Sequence, residues 1–347
     1  MSTSKILSVI VPSYNMEKHL PKCLGSIVVA PELMRQLEVL VVNDGSKDRT
    51  SEIAHEFAAK WPGVFQVIDK ENGNYGSCIN AALPIATGMY VKVLDADDFY
   101  DTRTFSEYLE WLTNEDMVDL VVSDWDYVDG NANVTAHHSF AFNPDEELNV
   151  DVLLQVRSCP PMPALAYRTG LLRELDYSQK ERISYTDTEW AVLPLVGVRR
   201  LRYFNRGIYK YWIGRDGQTM NVARHMRNWW MSGDVALDMV EKFERMKIAA
   251  TPEIQDYLHD RIMGSVEIVY RIALCGLDRE KANIDLVSFD EKLRRISRKW
   301  SEEVGLSIYS KRLPYRYVES WRQRRVFFRQ MIRLCKLYSR FVKFVRG

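Results

Sequence analysis

The stretch Tyr90–Tyr100, YVKVLDADDFY, runs an apolar β-type segment straight into three carboxylates, Asp95, Asp97 and Asp98, and then returns to aromatics. Like charges this close repel one another, so the arrangement needs a compensating partner. A divalent cation is the simplest one: Mg²⁺ or Mn²⁺ takes hard oxygen ligands, and Mg²⁺ is usually held by one or two carboxylates plus substrate phosphates. An acidic turn is the plainer alternative, with Asp97 or Asp98 capping a helix that starts near Thr102. Placement directly behind an apolar strand favours the metal.

Working outward, short runs rich in Val, Ile and Leu recur: ILSVIV (6–11), LEVLVV (37–42), VFQVI (64–68), MYVKVL (89–94) and DLVVSD (119–124). Between them lie EKHLPKCLGSI, RTSEIAHEFAAKW, GSCINAALPIA and TRTFSEYLEWL, each with apolar residues at three- and four-residue spacings. This alternation predicts an α/β domain with a largely parallel sheet flanked by helices. Ligands of such sheets bind beyond the carboxyl ends of the strands, where PSYN, NDGS and DADD all fall. Three polar clusters thereby converge on one crevice.

At 347 residues and 46% hydrophobic content, the chain is long enough for one large domain with appendages or for two domains sharing an interface, and its composition argues against general disorder. Its five cysteines show neither a CxxC nor a paired spacing, which argues against a disulfide framework or a zinc knuckle and fits a reducing cytosol. The first apolar run is too short for a signal peptide or a spanning helix, and no later stretch reaches spanning length. Zero net charge conceals an asymmetry: from Lys311 onward there are 12 Lys plus Arg against the single acid Glu319, leaving 35 basic and 46 acidic residues in the rest. A cationic tail on an anionic body points to a polyanionic partner, with a solvated helix face as the plain alternative.

Five ordered segments carry a resemblance: SVIVPSYNMEKHLPKCLGSI (8–27), LEVLVVNDGSKDRTSEIA (37–54), KENGNYGSCINAAL (70–83), GMYVKVLDADD (88–98) and ISYTDTEW (183–190). Together they resemble the inverting nucleotide-sugar glycosyltransferases of family 2, with the GT-A (Rossmann-like) fold, and in particular bacterial members that build surface polysaccharides. The resemblance implies a donor that is a nucleoside-diphosphate sugar, UDP by family habit, and a saccharide or lipid-linked saccharide acceptor. It implies a Mn²⁺ or Mg²⁺ ion on Asp97, with Asp95 positioning the ribose or the metal. Pro12 and Tyr14 would line the base pocket, and Asp44 would accept hydrogen bonds from base or ribose, unless it only closes an Asx turn in NDGS. Gly76 allows close backbone approach, and the amides at the start of the following helix would face the phosphates. Asn80 would serve the donor site or brace a loop.

The family's acidic motif matches YTDTEW, which assigns the general base to Asp187. Thr186 stands where the motif usually carries an acid, so Glu189 competes for the role. Trp190 would stack on a sugar ring or belong to the core. In YKYWIGRDGQTM (209–220), Arg215 would contact the diphosphate and Gln218 order a loop over the donor, the alternative being a polar turn. His137 and His138 read as loop residues without ligand spacing.

The donor domain is expected over 1–220 and a C-terminal helical subdomain over 221–310. A basic amphipathic helix is expected over 311–347. On that helix Arg322, Arg325, Arg329, Arg333, Lys336, Arg340 and Lys343 form a stripe, opposite a face holding Phe327, Phe328, Met331, Leu334, Cys335, Tyr338, Phe341, Val342 and Val345. This is the pattern of an interfacial helix on anionic lipid, each basic residue contributing about 1 kcal/mol. The chain is thus expected in the cytoplasm, peripheral to the inner face of the plasma membrane, with no nucleic-acid partner. A helix covering the protein's own core, or a contact in a homo-oligomer, is the alternative. Rival functions are a metal-dependent nucleotidyltransferase, which has no need of YTDTEW, and a non-catalytic sugar-nucleotide-binding scaffold. A classical dinucleotide-binding oxidoreductase is poorly supported, since no GxGxxG follows the first strand.

Overall fold

The computed structural model describes residues 5–114, 116–156, 159–214, 228–276, 279–310, 313–324 and 330–334. The chain divides into two compact units, one of residues 1–218 with 246–258, the other of residues 219–245 with 259–347.

The first unit is built on one large sheet. Its strands are β1 (Leu7–Ser13), β2 (Leu37–Asp44), β3 (Phe65–Lys70), β4 (Tyr90–Val93), β5 (Phe99–Tyr100), β6 (Leu120–Val128), β7 (Val134–His138), β8 (Leu148–Asn149), β9 (Leu165–Arg168) and β10 (Arg200–Trp212). They lie in the order β3-β2-β1-β4-β9-β6-β10-β5, with β7 on β6 and β8 on β10. β3, β2, β1 and β4 are mutually parallel, β9 runs against β4 and β6, and β10 is again parallel to β6. Six of the eight strands on that path therefore point the same way, giving the expected α/β sheet.

Helices α1 (Leu20–Ile27), α2 (Pro31–Met34), α3 (Thr50–Lys60), α4 (Asn74–Ala82) and α5 (Thr102–Asn114) connect these strands. Val9, Ile10 and Val11 of β1 and Val39 through Val42 of β2 are completely buried, which explains why these strands read as unbroken apolar runs. Burying each such side chain stabilises the fold by roughly 1.5–3 kcal/mol. In the other half, α6 (Thr169–Glu174) follows β9 and α7 (Asp187–Val192) precedes β10. β10 carries an irregularity around Gly207, where a Cβ would meet Asp126 Oδ2 at 2.5 Å; glycine makes room for that carboxylate. His137 and His138 belong to β7, not to a loop.

The second unit contains helices Trp229–Met246 up to its last residue, most of Pro252–Arg271, and all of Arg279–Ile296, Arg298–Gly305 and Tyr317–Arg322. Trp300 is fully buried there, donating Nε1–H to Glu244 Oε1 at 2.8 Å and meeting the Phe243 ring edge-on. Arg322, expected on the basic lipid-facing stripe, turns inward instead. Its guanidinium donates to the Asp290 carboxylate, to Ser301 O at 2.7 Å and to Tyr270 Oη at 3.3 Å. A buried carboxylate outcompetes solvent for this one arginine because the pair is charge-assisted and forked. Of the remaining stripe, Arg333 is described and exposed, whereas residues 325–329 and 335–347 lie outside the described residues. No helix among the described residues is long and apolar enough to cross a membrane.

Candidate active site

The carboxylates that opened the sequence reading do cluster. Asp95, Asp97 and Asp98 each offer an oxygen within 4.8 Å of the others, the set of three being the candidate cation site among the described residues. β4 delivers Asp95 to the crevice through the Leu94 amide, which hydrogen-bonds Ile10 O of β1 at 2.9 Å. Burial pushes the Asp95 carboxyl well above the usual carboxylate range, and the charges of Asp98 and Asp97 add to it; the Tyr75 hydroxyl, donating to Asp95 Oδ1 at 2.9 Å, opposes the shift. Clustered hard oxygens that repel one another fit a Mg²⁺- or Mn²⁺-type ion.

Asp98 is not a helix cap. It is buried, with Oδ2 accepting from Tyr209 Oη at 2.8 Å and Oδ1 from the Trp212 amide at 2.9 Å. The cap of α5 is Asp101, whose Oδ1 accepts from the Thr104 amide at 2.9 Å. Tyr209 also accepts from the Asp95 amide at 3.2 Å, so one buried hydroxyl on β10 holds both ends of the acidic turn. Tyr75 and Tyr209 are the site residues that sequence reasoning passed over. Both stood inside quoted motifs, but only the folded register shows what their hydroxyls reach.

Asp187 opens α7 and is exposed, yet dense protein around it raises its carboxyl above the ordinary range. The two facts agree if the residue lines the floor of a crevice, open on one side and walled on the others. Its charge adds to those that raise Asp95, Tyr75 and Tyr211, so it looks onto the same space as the acidic turn. Glu189 is fully buried and accepts from the Lys180 amide at 2.8 Å. Trp190 is fully buried as well, edge-on to Tyr167 and Tyr177, and is therefore a core residue.

The segment before Asp187 is held from two sides. Asn80 on α4 accepts from the Gln179 amide at 2.8 Å and donates to Gln179 O at 2.9 Å and to Glu181 Oε1 at 2.9 Å. One turn earlier, a Cβ at Gly76 would lie 2.1 Å from Lys180 O. Both residues thus face the 179–181 segment: Asn80 is a loop brace, and the close approach at Gly76 is to protein backbone.

Asp44, at the end of β2, is buried and engaged by protein. Oδ1 accepts from Lys70 Nζ at 2.8 Å and from the Gly73 amide at 2.9 Å, and Oδ2 accepts from the Asn74 amide at 2.8 Å. It caps α4 by engaging the Gly73 and Asn74 amides at its start. The Asx turn of NDGS is made by Asn43, whose Oδ1 accepts from the Ser46 amide at 3.1 Å. Pro12 is half-buried one residue before the end of β1, and Tyr14, 46% exposed, follows the strand on a loop fastened to the one after β2 by Asn15 N–H to Ser46 Oγ (3.0 Å) and Lys47 N–H to Asn15 Oδ1 (2.8 Å). Arg215 and Gln218 lie outside the described residues.

The model of the family described as Glycosyl transferase family 2 matches residues 8–176, a span that holds the acidic turn and the three parallel-strand loops. The chain belongs to glycosyltransferase family 2. An uncharacterized glycosyltransferase of Mycoplasma pneumoniae, the MG060 homolog, is 29% identical over 67% of this chain and 77% of its own length. The minor teichoic acid biosynthesis protein GgaB of Bacillus subtilis is 25% identical over 64% of this chain but 25% of its own length. The poly(ribitol-phosphate) beta-N-acetylglucosaminyltransferase TarS of Staphylococcus aureus is 26% identical over 62% of this chain and 37% of its own. Against the last two, the match spans well under half of the longer protein. The crystal structure of residues 1–349 of that staphylococcal enzyme superposes with a TM-score of 0.61 at 19% identity, over 92% of this chain and 91% of the other. A crystal structure of the same fragment in complex with UDP superposes with a TM-score of 0.59. The likeness establishes a shared GT-A architecture for this family 2 glycosyltransferase.

Proposed function

We propose that the protein is a metal-dependent, inverting glycosyltransferase that moves a sugar from a nucleoside-diphosphate sugar, UDP-linked, to a hydroxyl of a saccharide or lipid-linked saccharide in bacterial surface-polysaccharide synthesis. One observation carries the reading: three carboxylates share a turn behind β4, and the charge of Asp187 reaches the same turn. A relative named as a beta-N-acetylglucosaminyltransferase and a structural relative in complex with UDP support the donor class, and a relative named for minor teichoic acid biosynthesis supports the surface-polymer setting.

Asp97 and Asp95 would hold the cation, with Asp98 as the third oxygen donor. Such an ion offsets the charge that grows on the departing nucleoside diphosphate. Tyr209 and Tyr75 fix the orientation of these carboxylates. Asp187 accepts the proton of the acceptor hydroxyl while its oxygen bonds the anomeric carbon opposite the breaking sugar–phosphate bond. Glu189, buried on the Lys180 amide, positions the segment that carries Asp187. Pro12 and the exposed ring of Tyr14 line the base side, Asp44 supports that pocket from beneath, and Arg215 and Gln218 would close over the diphosphate.

A screen of nucleotide sugars with Mn²⁺ or Mg²⁺, reading released nucleoside diphosphate, tests the reading. Asp97→Ala is expected to abolish metal-dependent nucleotide binding in calorimetry. Unchanged Mn²⁺-dependent binding would remove the metal assignment.

We further propose that residues beyond Arg324 bring the enzyme to anionic lipid, giving a peripheral location at the inner face of the plasma membrane. The excess of basic residues there supports this reading. A chain ending at Arg324 keeps the inward Arg322 pairs and is expected to lose cosedimentation with anionic liposomes. The full chain should bind less at high salt, since the Debye length shrinks from about 8 Å at physiological ionic strength to about 3 Å at 1 M. Equal sedimentation of both chains would reject the membrane role.

A further inference from the structure

The sheet face that holds the acidic turn continues past it as a row of aromatic rings. Register pairs Tyr209 with Trp125 and Tyr211 with Tyr127 between β10 and β6, and Trp125 with His138 between β6 and β7. Side chains alternate across a strand, so Tyr209, Tyr211, Trp125, Tyr127 and His138 share one face. Tyr209 on that face is the residue whose hydroxyl holds Asp95 and Asp98. Tyr211 comes next along β10, and its hydroxyl is pushed up by burial and by the charges of Asp98, Asp95, Asp97 and Asp187; the row therefore starts at the reaction centre.

From there the rings touch in sequence. Tyr211 and Tyr127 lie 5.5 Å apart between centroids, Tyr127 meets His138 edge-on at 4.5 Å, His138 stacks on Trp125 at 4.8 Å and 7°, and Trp125 reaches Phe140 at 5.7 Å. None is a core residue: Tyr211, Tyr127, Trp125, His138 and Phe140 are all half-buried, leaving ring surface in solvent. A connected aromatic surface of this kind marks a binding site more often than chance exposure. From β10 across β6 to β7 the row spans two inter-strand spacings, about 10 Å, or about two sugar rings.

Along the aromatic stretch, Tyr209–Trp212 of β10 and Trp125–Val128 of β6, the charged side chains face the other way. Asp124, Asp126 and Lys210 alternate to the opposite face, where Lys210 Nζ meets Asp126 Oδ2 at 2.5 Å and His137 Nδ1 meets Asp126 Oδ1 at 2.6 Å. That stretch of the face thus offers ring surfaces and tyrosine hydroxyls, with His138 Nε2 buried among the rings, and its inner end lies close to the carboxylates of Asp95, Asp97, Asp98 and Asp187. A polyol-phosphate chain brings an anion with every unit, and the described residues of this stretch present no cationic side chain to pair with it. A pyranose presents a C–H face to stack and hydroxyl edges to hydrogen-bond.

Resting on the glycosyl-transfer reading above, we infer that the Tyr211–Tyr127–His138–Trp125 row is the acceptor track, and that it takes a chain of pyranose rings rather than a polyol phosphate.

The test uses the full chain with UDP and Mg²⁺ and two probes, short pyranose oligosaccharides of two to four units and a ribitol-phosphate oligomer, with binding read by ligand-observed NMR. The pyranose probes are expected to bind and the ribitol-phosphate oligomer not. Trp125→Ala is expected to weaken pyranose binding about tenfold and Trp125→Phe to restore most of it, with the UDP Kd moving less than twofold. Should Trp125→Ala fail to fold, Tyr127→Ala carries the same expectation. Stronger binding of the ribitol-phosphate oligomer, or unchanged pyranose binding in a folded Trp125→Ala protein, overturns the track. The NMR readout needs no turnover, so failure of every donor in the nucleotide-sugar screen would count against the transfer reading alone.

Discussion

In the parallel half of the sheet, β1 to β4, the polar residues around the crevice sit at the strand ends and in the loops after them; in the mixed half, β5 to β10, Tyr209, Trp125 and Tyr127 sit inside strands. The loops after β1 and β2 fasten mainly to one another, through Asn15, Ser46 and Lys47, and Asp44 closes on the start of α4. The mixed half supplies Tyr209 from the buried interior of β10, and Trp125 and Tyr127 from β6. Residues of the first kind shape a pocket mostly through backbone amides. Residues of the second kind act through side chains whose direction depends on strand register. Substitutions in the mixed half should therefore change chemistry and stability together, which can be tested site by site.

The largest effect is expected at Asp187, where Asp187→Asn should cut transfer by about 10² to 10⁴ while leaving donor affinity within twofold, as seen by single-turnover kinetics beside calorimetry. If Glu189→Gln produces that loss instead, the base is misassigned. The raised carboxyl also sets a sign. The folded state favours the protonated form, so Asp187 costs stability as pH rises through its folded pKa, and the acid limb of the rate profile should lie above the ordinary carboxylate value of 3.8. Asp187→Asn should melt no lower than the parent at neutral pH, an outcome a merely structural carboxylate would not give.

Tyr209→Phe comes next. It removes the donor to Asp98 Oδ2 and the acceptor of the Asp95 amide at once, with an expected stability loss of about 1–3 kcal/mol and metal-dependent nucleotide binding weaker by about tenfold. A thermal midpoint and a Mn²⁺ titration measure the two separately. Loss of stability with metal binding intact would break the claim that the mixed half orients the acidic turn.

The smallest effect sharpens the comparison from the parallel side, where β4 carries one strand-interior charge. Lys92 is fully buried, donating Nζ–H to Pro163 O at 2.6 Å, and burial pulls its ammonium down to about 7. The unfolded chain holds that proton up to the ordinary value of 10.5, so stability should rise with pH between about 7 and 10.5 and be flat below. Lys92→Met should flatten that window in a series of urea melts, with little change in transfer.

Much of this was legible before folding. The runs at 6–11, 37–42, 89–94 and 119–124 each became a strand within a few residues, because strands buried on both faces leave an unmistakable apolar signature, and the run at 64–68 became the partly exposed edge strand β3. β9 and β10 were not read as strands. RLRYFNRGIYKYW is half polar and bent at Gly207, so it carries neither an unbroken apolar run nor a clean alternation. Asp98 was undecided between ligand and cap, and only Tyr209 and the Trp212 amide, more than 100 residues later, showed where its oxygens point.

By itself the sequence determined the fold class, the family and the convergence of three strand ends on one crevice, because local hydrophobic period and short ordered motifs are properties of neighbouring residues. Tertiary structure alone decided that Asp44 caps α4, that Asn80 braces the segment before Asp187, that Arg322 turns inward to Asp290, and that five aromatic side chains from β10, β6 and β7 share the face of the acidic turn. A hydrogen bond or a shared sheet face joins residues many tens of positions apart, and which of several chemically equal partners a side chain takes is fixed only once packing brings one of them within 3 Å or so and walls off the others.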